Sequence, residues 1–193
     1  VMLSHGAIIC NCMGAFYLLE QLGLDREVFL SFLPLSHAYE HTAGQFFPMT
    51  VGAEIYYGTG LDKLPANLQE ARPTIMTAVP RLYETMYQRI LRAVEKDGGR
   101  KKKLFDMALR LGRKRYTDPR GLTLWERVLD VVADLLVRTR MRKRFGGRLK
   151  AMVSGGAALN PDIGIFFTAL GLRVLQGYGQ TESAPVVSAN PPF

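Results

Sequence analysis

The sequence is poor in cysteine, with only two in 193 residues. Cys10 and Cys12 are separated by a single residue, so they cannot join distant parts of a fold through a disulfide bond. The neighbouring sequence does not supply the further ligands that a metal site would need. We therefore expect two reduced thiols in a reducing compartment, and a cytoplasmic protein.

Long apolar runs and the common nucleotide-binding loops are also missing. The sequence contains no uncharged apolar run long enough to span a bilayer, which takes about 18 residues. It contains neither a G-x-x-x-x-G-K-[ST] loop nor a G-x-G-x-x-G loop, so neither standard nucleotide-binding fold is expected. Residues 1–6 do not resemble a signal peptide. Because this opening is strand-like and does not begin with methionine, we expect that upstream sequence is missing.

Acidic residues are scarce in the middle of the chain. Residues 81–150 hold 21 of the 25 Lys and Arg but only 8 of the 17 Asp and Glu, a net charge of +13, against −5 elsewhere. The basic runs 100–103 and 138–144 suit a solvated helical surface, nucleic acid or anionic lipid. Few aromatic residues are interleaved with these charges, which disfavours nucleic acid. We expect no nucleic-acid partner, and a peripheral contact between this segment and an anionic membrane.

Short apolar runs alternate with helical patterns in residues 1–80. The runs 28–33, 53–57 and 74–79 are typical of buried strands, and Pro34 closes the first of them. Helical patterns lie between the strands, near 37–50 and 61–71. Strand–helix–strand alternation predicts an α/β fold with a mainly parallel sheet and flanking helices.

Residues 81–145 follow a helical pattern instead and predict a basic helical insert. One set of apolar residues shares a helical face: Leu82, Tyr83, Met86, Tyr87, Ile90, Leu91 and Val94. A second set shares another face: Trp125, Val128, Leu129, Val132, Leu135 and Leu136. A shorter helix is expected near 104–116, followed by a break at 118–121.

The α/β pattern returns in residues 149–193. A strand over 149–153 leads into a Gly-rich loop, and a helix over 161–170 follows with Asn160 as its N-cap and Gly171 at its C-terminal end. A second strand over 172–175 leads into another Gly-rich loop. A right-handed crossover would place both loops at the carboxyl ends of parallel strands, where α/β sheets bind ligands.

These two loops carry side chains suited to a nucleotide. Gly155 and Gly156 allow the backbone to approach a flat ligand closely. The ring of Tyr178 could lie against a base, while Thr181 and Glu182 offer a hydroxyl and a carboxylate for phosphate and Mg²⁺. The same residues also suit a tight turn followed by a helix cap.

Several segments together resemble one enzyme superfamily over essentially the whole chain. The run Gly177-Tyr178-Gly179-Gln180-Thr181-Glu182 is similar to the signature of adenylate-forming enzymes, and Ser154-Gly155-Gly156-Ala157 resembles their adenine-side loop. Pro34-Leu35-Ser36-His37 resembles their substrate-pocket motif. Val79-Pro80-Arg81-Leu82-Tyr83-Glu84, followed by a basic insert, is similar to the long-chain fatty acyl-CoA synthetase branch. The resemblance implies an internal fragment of the AMP-binding N-terminal domain.

The resemblance assigns nucleotide-binding roles to residues of the two loops. It implies that the adenylate and its phosphates contact Gly156, Gln176, Gly177, Tyr178, Gly179 and Thr181. Within this set Tyr178 is expected to stack on adenine, and Thr181 is expected to bind phosphate oxygens. Glu182 is expected to hold Mg²⁺ against the phosphates of ATP.

The resemblance also assigns the reacting end of the site. It implies His37, Thr181 and Glu182 as the catalytic group, with His37 beside the acyl carboxylate. The fourth residue after His37 is a tryptophan that gates the fatty-acid tunnel in some members of the family, and here it is His41. We expect His41, one helical turn beyond His37, to line the pocket and act as a looser gate.

The implied reaction has two steps. A carboxylate attacks ATP to give acyl-AMP and pyrophosphate, and coenzyme A then displaces AMP. The fatty acid, ATP and coenzyme A are the implied substrates, although another carboxylate is an open alternative. The phosphate loop and the catalytic lysine of the small C-terminal domain do not occur in these residues, so we expect the isolated chain to be inactive.

One rival pattern overlaps the pocket motif. Residues 37–41 match H-x-x-E-H, in which two histidines one helical turn apart bind zinc and a glutamate activates water. The spacing is physically suitable for a helix that begins after Ser36. A short match of this kind also arises readily by chance.

Overall fold

The computed structural model describes residues 1–192 and contains one six-stranded sheet in the order β2-β1-β3-β4-β5-β6. The first five strands in that order are parallel, and β6 runs antiparallel to β5. The strands are β1 Val28–Ser31, β2 Glu54–Tyr57, β3 Ile75–Ala78, β4 Ala151–Ser154, β5 Val174–Gly179 and β6 Val186–Ala189. The predicted α/β class with a mainly parallel sheet is confirmed.

Helices cover both faces of the sheet. They are α1 His5–Leu19, α2 Ala38–Glu40, α3 Phe47–Thr50, α4 Leu64–Ala71, α5 Pro80–Asp97, α6 Gly99–Thr117, α7 Leu124–Ala133, α8 Thr139–Arg144 and α9 Pro161–Ala169. Two π-helical segments, His41–Phe46 and Asp134–Arg138, join α2 to α3 and α7 to α8. In the part of the chain just described, no helix combines the length and apolarity needed to cross a membrane.

The strand-like opening expected from the sequence is wrong. Residues 1–4 have no regular structure, and a helix begins at His5. The hydroxyl of Ser4 accepts a hydrogen bond from the backbone N–H of Ala7, which satisfies one of the free donors at the helix start. Ser4 is a typical N-cap residue, but the apolar residues on either side of it suggested a strand instead.

Alternate residues of the parallel strands build two cores on opposite faces of the sheet, as the pleat of a strand requires. Leu30, Met76 and Met152 belong to the larger core, together with residues of α5, α6 and α9. Phe29 and Ile75, each one position earlier, belong to the smaller core with α1 and α3. The carboxyl ends of the parallel strands lie between these two layers.

The helical insert is anchored to the larger core. Tyr83 is fully buried against Phe167, with ring centroids 5.6 Å apart, so the first predicted apolar face packs as expected. Gly112 of α6 lies directly against the backbone of Ala169 in α9, where a side chain would collide. The insert therefore packs closely on the helix between β4 and β5.

A buried arginine, Arg138, connects the segment after α7 to α6 and to the end of α9. Arg138 is completely buried, and its Nε donates to the carbonyl oxygen of Ala169 at 2.8 Å. Its Nη2 donates to the carbonyl oxygen of Ala108 at 3.1 Å and to the Asp130 carboxylate at 2.5 Å. Three helices thus converge on one guanidinium group, and Asp130 is the nearest anion to its charge.

The second predicted apolar face behaves differently. Its residues do share one side of α7 and the following π-helical segment, but that side is exposed rather than packed. The opposite side carries Asp130, Ala133 and Arg138, which are buried against α6. Periodicity therefore identified the face correctly, whereas no element among residues 1–192 covers it.

We expect Asp130→Asn to lower the free energy of unfolding by about 3–5 kcal/mol, because it removes the nearest anion of the buried Arg138 charge and leaves only Asp134, at 4.0 Å. Urea unfolding followed by circular dichroism measures the change. Asp106→Asn makes the same substitution at an exposed position of α6 and should change stability by less than about 0.5 kcal/mol. Equal effects in the two variants would contradict this account.

Candidate functional site

A cavity of about 670 Å³ opens at the carboxyl ends of the parallel strands, where the sequence placed the site. Its walls come from α1, the helical segment after β1, the loop after β4, and the segment from β5 to β6. Seven of the predicted site residues line it: His37, Gly156, Gly177, Tyr178, Gly179, Thr181 and Glu182. The fold thus brings the pocket motif and both Gly-rich loops to one cavity.

Gln176 and His41 lie outside this wall among the described residues. Gln176 lines a second cavity of about 640 Å³, which shares Tyr178, Ser188 and Ala189 with the first. Tyr178 is 65% exposed and lines both cavities. A ring in that position offers an open face for a planar base.

The expected placement of His41 in the pocket does not agree with the structure. His37 is the N-cap of α2 with an extended backbone, so it does not share the regular helical geometry assumed in that expectation. The π-helical segment that begins at His41 further changes the spacing of side chains. His41 packs on Phe46, with ring centroids 4.7 Å apart, while Thr42 and Ala43 line the cavity.

The imidazole of His37 is held in a defined way. Its Nδ1 accepts a hydrogen bond from the backbone N–H of Tyr39 at 3.2 Å. In a neutral imidazole the proton must then sit on Nε2, which makes that nitrogen a donor. His37 can therefore donate a hydrogen bond to an oxygen of a ligand in the cavity.

Tyr39 is a wall of the cavity that sequence reasoning missed. Its hydroxyl donates to the carbonyl oxygen of Val153 at 2.9 Å, which ties α2 to β4. A Cβ atom at Gly155 would lie 2.7 Å from the Tyr39 ring, so only glycine fits there without a shift. Gly156 adopts a φ of +83°, which also favours glycine. These contacts set the path of the loop after β4.

Glu40 lies beneath the cavity and is completely buried. Its two carboxylate oxygens accept hydrogen bonds from the hydroxyls of Ser31 in β1 and Thr77 in β3, both at 2.6 Å. Burial raises the pKa of this carboxyl, and the hydrogen bonds from Ser31 and Thr77 oppose the shift. Glu40 therefore fastens α2 to the carboxyl ends of two neighbouring strands.

This arrangement disfavours the zinc-peptidase interpretation of residues 37–41. Both oxygens of Glu40 are engaged by hydroxyl groups, so the carboxylate is not free to activate water beside the histidines. Within residues 1–192 no group of three or more His, Cys, Asp or Glu side chains is arranged to hold a metal ion. Residues 37–41 therefore match the H-x-x-E-H pattern without forming the zinc site that is typical of it.

Thr181 and Glu182 lie in a short 3-10 turn, Thr181–Ser183, at the mouth of the cavity. The backbone N–H of Ser183 donates to the carbonyl oxygen of Gln180 at 3.0 Å, which closes the turn. The Glu182 carboxylate is exposed and has no hydrogen-bond or ion-pair partner among the described residues. A free carboxylate beside a hydroxyl fits Mg²⁺ and phosphate, since Mg²⁺ binds one or two carboxylates together with phosphate oxygens.

Asn11 in α1 holds the segment 183–186 in place. This residue carried no recognisable signal in the sequence. Its Nδ2 donates to the carbonyl oxygens of Ser183 at 3.1 Å and Val186 at 2.9 Å. Its Oδ1 accepts from the backbone N–H of Val186 at 3.1 Å. One side chain thus holds the loop of Thr181 and Glu182 against α1, across 172 residues of sequence.

Comparison with known proteins gives a family match over the whole chain. The family described as AMP-binding enzyme matches residues 1–193. Long chain acyl-CoA synthetase 6, peroxisomal, of Arabidopsis thaliana is 35% identical over 191 residues, covering 97% of this chain and 26% of the relative. Long-chain-fatty-acid–CoA ligase 6 of Mus musculus is 29% identical over 188 residues, covering 94% of this chain and 25% of the relative.

Solved structures show the same fold at lower sequence similarity. ATP-bound MatB from Rhodopseudomonas palustris superposes with a TM-score of 0.62 at 18% identity, covering 99% of this chain and 28% of that chain. The chain spans about a quarter of the length of the curated relatives named above.

We expect Glu40→Gln to change how stability depends on pH. Because the folded-state pKa of Glu40 is raised above its ordinary value of 4.5, the folded protein keeps this proton at a pH where the unfolded chain loses it. The wild type therefore loses stability as pH rises from 4.5 through the folded-state pKa, and the variant lacks this contribution. Urea unfolding at several pH values measures the difference.

The control for this experiment is Glu84→Gln, an exposed position on α5. It should leave the pH profile of the wild type unchanged. A constant stability difference between Glu40→Gln and the wild type across the range above 4.5 would contradict the raised pKa of Glu40.

Proposed function

This chain belongs to the family of AMP-binding enzymes, and on that premise we propose that it forms the nucleotide-binding and acyl-binding part of a long-chain fatty acid–CoA ligase. The full-length protein would join a fatty acid to AMP from ATP and then transfer the acyl group to coenzyme A. The observation that carries the proposal is one cavity lined by His37, Tyr178, Thr181 and Glu182. We assign the chain to the large N-terminal domain of that enzyme.

The lining of the cavity supports a fatty acid as the carboxylate. Apolar side chains from α1, β1 and α3 form part of the cavity wall: Leu18, Leu19, Phe29 and Phe47. Such a surface favours an acyl chain, because burying each methylene group contributes about 0.8 kcal/mol. The printed names of the Arabidopsis and mouse relatives also refer to long-chain acids.

The polar loop supports the nucleotide assignment. Gly155 and Gly156 let the backbone approach the ligand, and the exposed ring of Tyr178 can stack on adenine. The hydroxyl of Thr181 can donate to a phosphate oxygen. When bound, Mg²⁺ would neutralise phosphate charge, and Glu182 is the carboxylate placed to hold it.

His37 supports the reacting end of the site. Its Nε2–H can donate to the substrate carboxylate or to the oxygens around the reacting phosphorus, because Nδ1 is already occupied by the N–H of Tyr39. A fixed donor lowers the barrier wherever negative charge develops in the transition state. Nucleotidyl transfer depends mainly on such positioning and charge stabilisation.

We also infer a peripheral contact with an anionic membrane through the basic helical insert. The net charge of +13 in residues 81–150 supports this contact. Each basic residue near an anionic surface adds about 1 kcal/mol to binding. A fatty acid would reach the enzyme from such a surface.

In the full-length protein, Glu182→Gln should reduce adenylation by about 10²-fold or more, because the variant keeps the shape but removes the charge that holds Mg²⁺. Pyrophosphate release with ATP, Mg²⁺ and palmitate measures this step. Transfer from preformed acyl-AMP to coenzyme A should be affected less. Glu84→Gln is the matched control and should be fully active. An equal loss in both half-reactions would assign Glu182 another role.

His37→Ala should reduce adenylation for acids of every chain length, since His37 acts at the carboxylate that all of them share.

His41→Ala tests the gate hypothesis at the neighbouring histidine. Because His41 packs on Phe46 outside the cavity wall, we expect His41→Ala to leave the chain-length profile unchanged, whereas a gating role would change the profile more than the adenylation rate and would tolerate His41→Trp. Initial rates with medium-chain and long-chain acids decide the question. An unchanged profile in His41→Ala would end the gate hypothesis.

A further inference from the structure

The surface of α7 carries an unusually exposed row of large apolar side chains. Leu124, Trp125 and Leu135 are 81%, 76% and 64% exposed. The complete row, which we name the 124–136 face, is Leu124, Trp125, Val128, Leu129, Val131, Val132, Leu135 and Leu136. A contiguous apolar surface of this kind marks an interaction site rather than ordinary surface variation.

All three acidic residues of the segment 124–144 are turned away from this face by ion pairs. Glu126 accepts from Lys114 of α6 at 2.7 Å, and Lys114 is the main cause that lowers the pKa of Glu126 to about 2. Asp130 pairs with the buried Arg138 at 2.5 Å. Asp134 pairs with Arg142 at 2.8 Å. Every negative charge of the segment is thereby paired with a cation.

Four of the six basic residues in the same segment are not neutralised in this way. Four exposed cations form no ion pair with any residue in the range 1–192: Arg127, Arg140, Lys143 and Arg144. Arg127 lies within α7, and the other three follow the face along the chain. The segment therefore combines a wide apolar surface with unpaired positive charge within α7 and just after the face along the chain.

We propose that the 124–136 face inserts into the interfacial layer of an anionic lipid bilayer, with α7 lying parallel to the membrane. An apolar face bordered by Lys and Arg and containing Trp is typical of helices that lie in this layer, at a depth of about 5–10 Å. This inference rests on the proposed membrane contact of the insert and identifies the helix that makes it.

Charge complementarity favours lipid over the other occupants of such a surface. A second copy of the chain would bring two strongly positive inserts together, which opposes association. Nucleic acid would match the charge but would leave the aliphatic side chains of the face in water. An anionic bilayer satisfies the cations at its headgroups and the apolar side chains just beneath them.

Vesicle sedimentation of the full-length protein tests the proposal. Vesicles of phosphatidylcholine are compared with vesicles that also contain phosphatidylglycerol. The wild type should bind the second kind, and binding should fall as salt is added. The double variant Trp125→Ser, Leu135→Ser should bind at least about tenfold more weakly, because it removes two of the most exposed apolar side chains. Its adenylation of a water-soluble medium-chain acid should not change.

Two matched variants separate this face from a general effect of charge or apolarity. Leu61→Ser removes an apolar residue that is 54% exposed in a distant loop, and it should bind vesicles as the wild type does. Arg127→Gln should weaken binding more than Arg89→Gln, which makes the same charge change at an exposed position of α5. Equal losses in the two arginine variants would point to net charge alone and would overturn the assignment of α7.

The remaining outcomes are also decisive. Undiminished vesicle binding by the double variant would overturn the proposal while leaving the broader membrane contact standing. Absence of vesicle binding by the wild type would overturn the proposal, and a lower melting temperature of the double variant would then show that the face is covered by protein in the full-length enzyme. Loss of adenylation in the Glu182→Gln variant does not depend on these results, so failure of the ligase assignment would be seen separately.

Discussion

The buried carboxylate of Glu40 is the constraint on which the candidate site depends. It accepts hydrogen bonds from hydroxyls on two neighbouring parallel strands, at the end where those strands finish. A carboxyl group in this position needs such donors, because burial without them is costly. Since Glu40 is the last residue of α2, its anchoring also sets where His37 and Tyr39 stand. The pocket motif is thereby attached to the sheet.

From this anchor the rest of the site follows through close backbone contacts. The Tyr39 ring excludes any residue but glycine at position 155, so the loop after β4 can pass directly over it. Asn11 draws the turn of Thr181 and Glu182 towards α1 through three hydrogen bonds to backbone atoms. Two walls of the cavity therefore depend on polar side chains, those of Tyr39 and Asn11, that bind the backbone of other elements.

The helical insert is organised by ion pairs, which are buried or lie close to the rest of the domain. Arg138 and Asp130 form its buried centre, and the remaining acids of the α7 side are paired close to the protein. Apolar side chains and unpaired cations are left on the outside. The same ion pairs that hold the insert to the domain thus determine the character of its outer surface.

The sequence by itself determined the local elements. Strands 28–31, 54–57 and 75–78 lie inside predicted runs, and Asn160 caps α9 as expected, because side-chain periodicity and capping are local properties. The Gly-rich loops could also be placed at the carboxyl edge of the sheet from the pattern alone. Tertiary structure decided the rest. It buried Glu40 beneath the cavity, placed His41 against Phe46, and exposed the 124–136 face. Periodicity specifies that residues share a face, whereas packing against distant segments specifies what that face contacts.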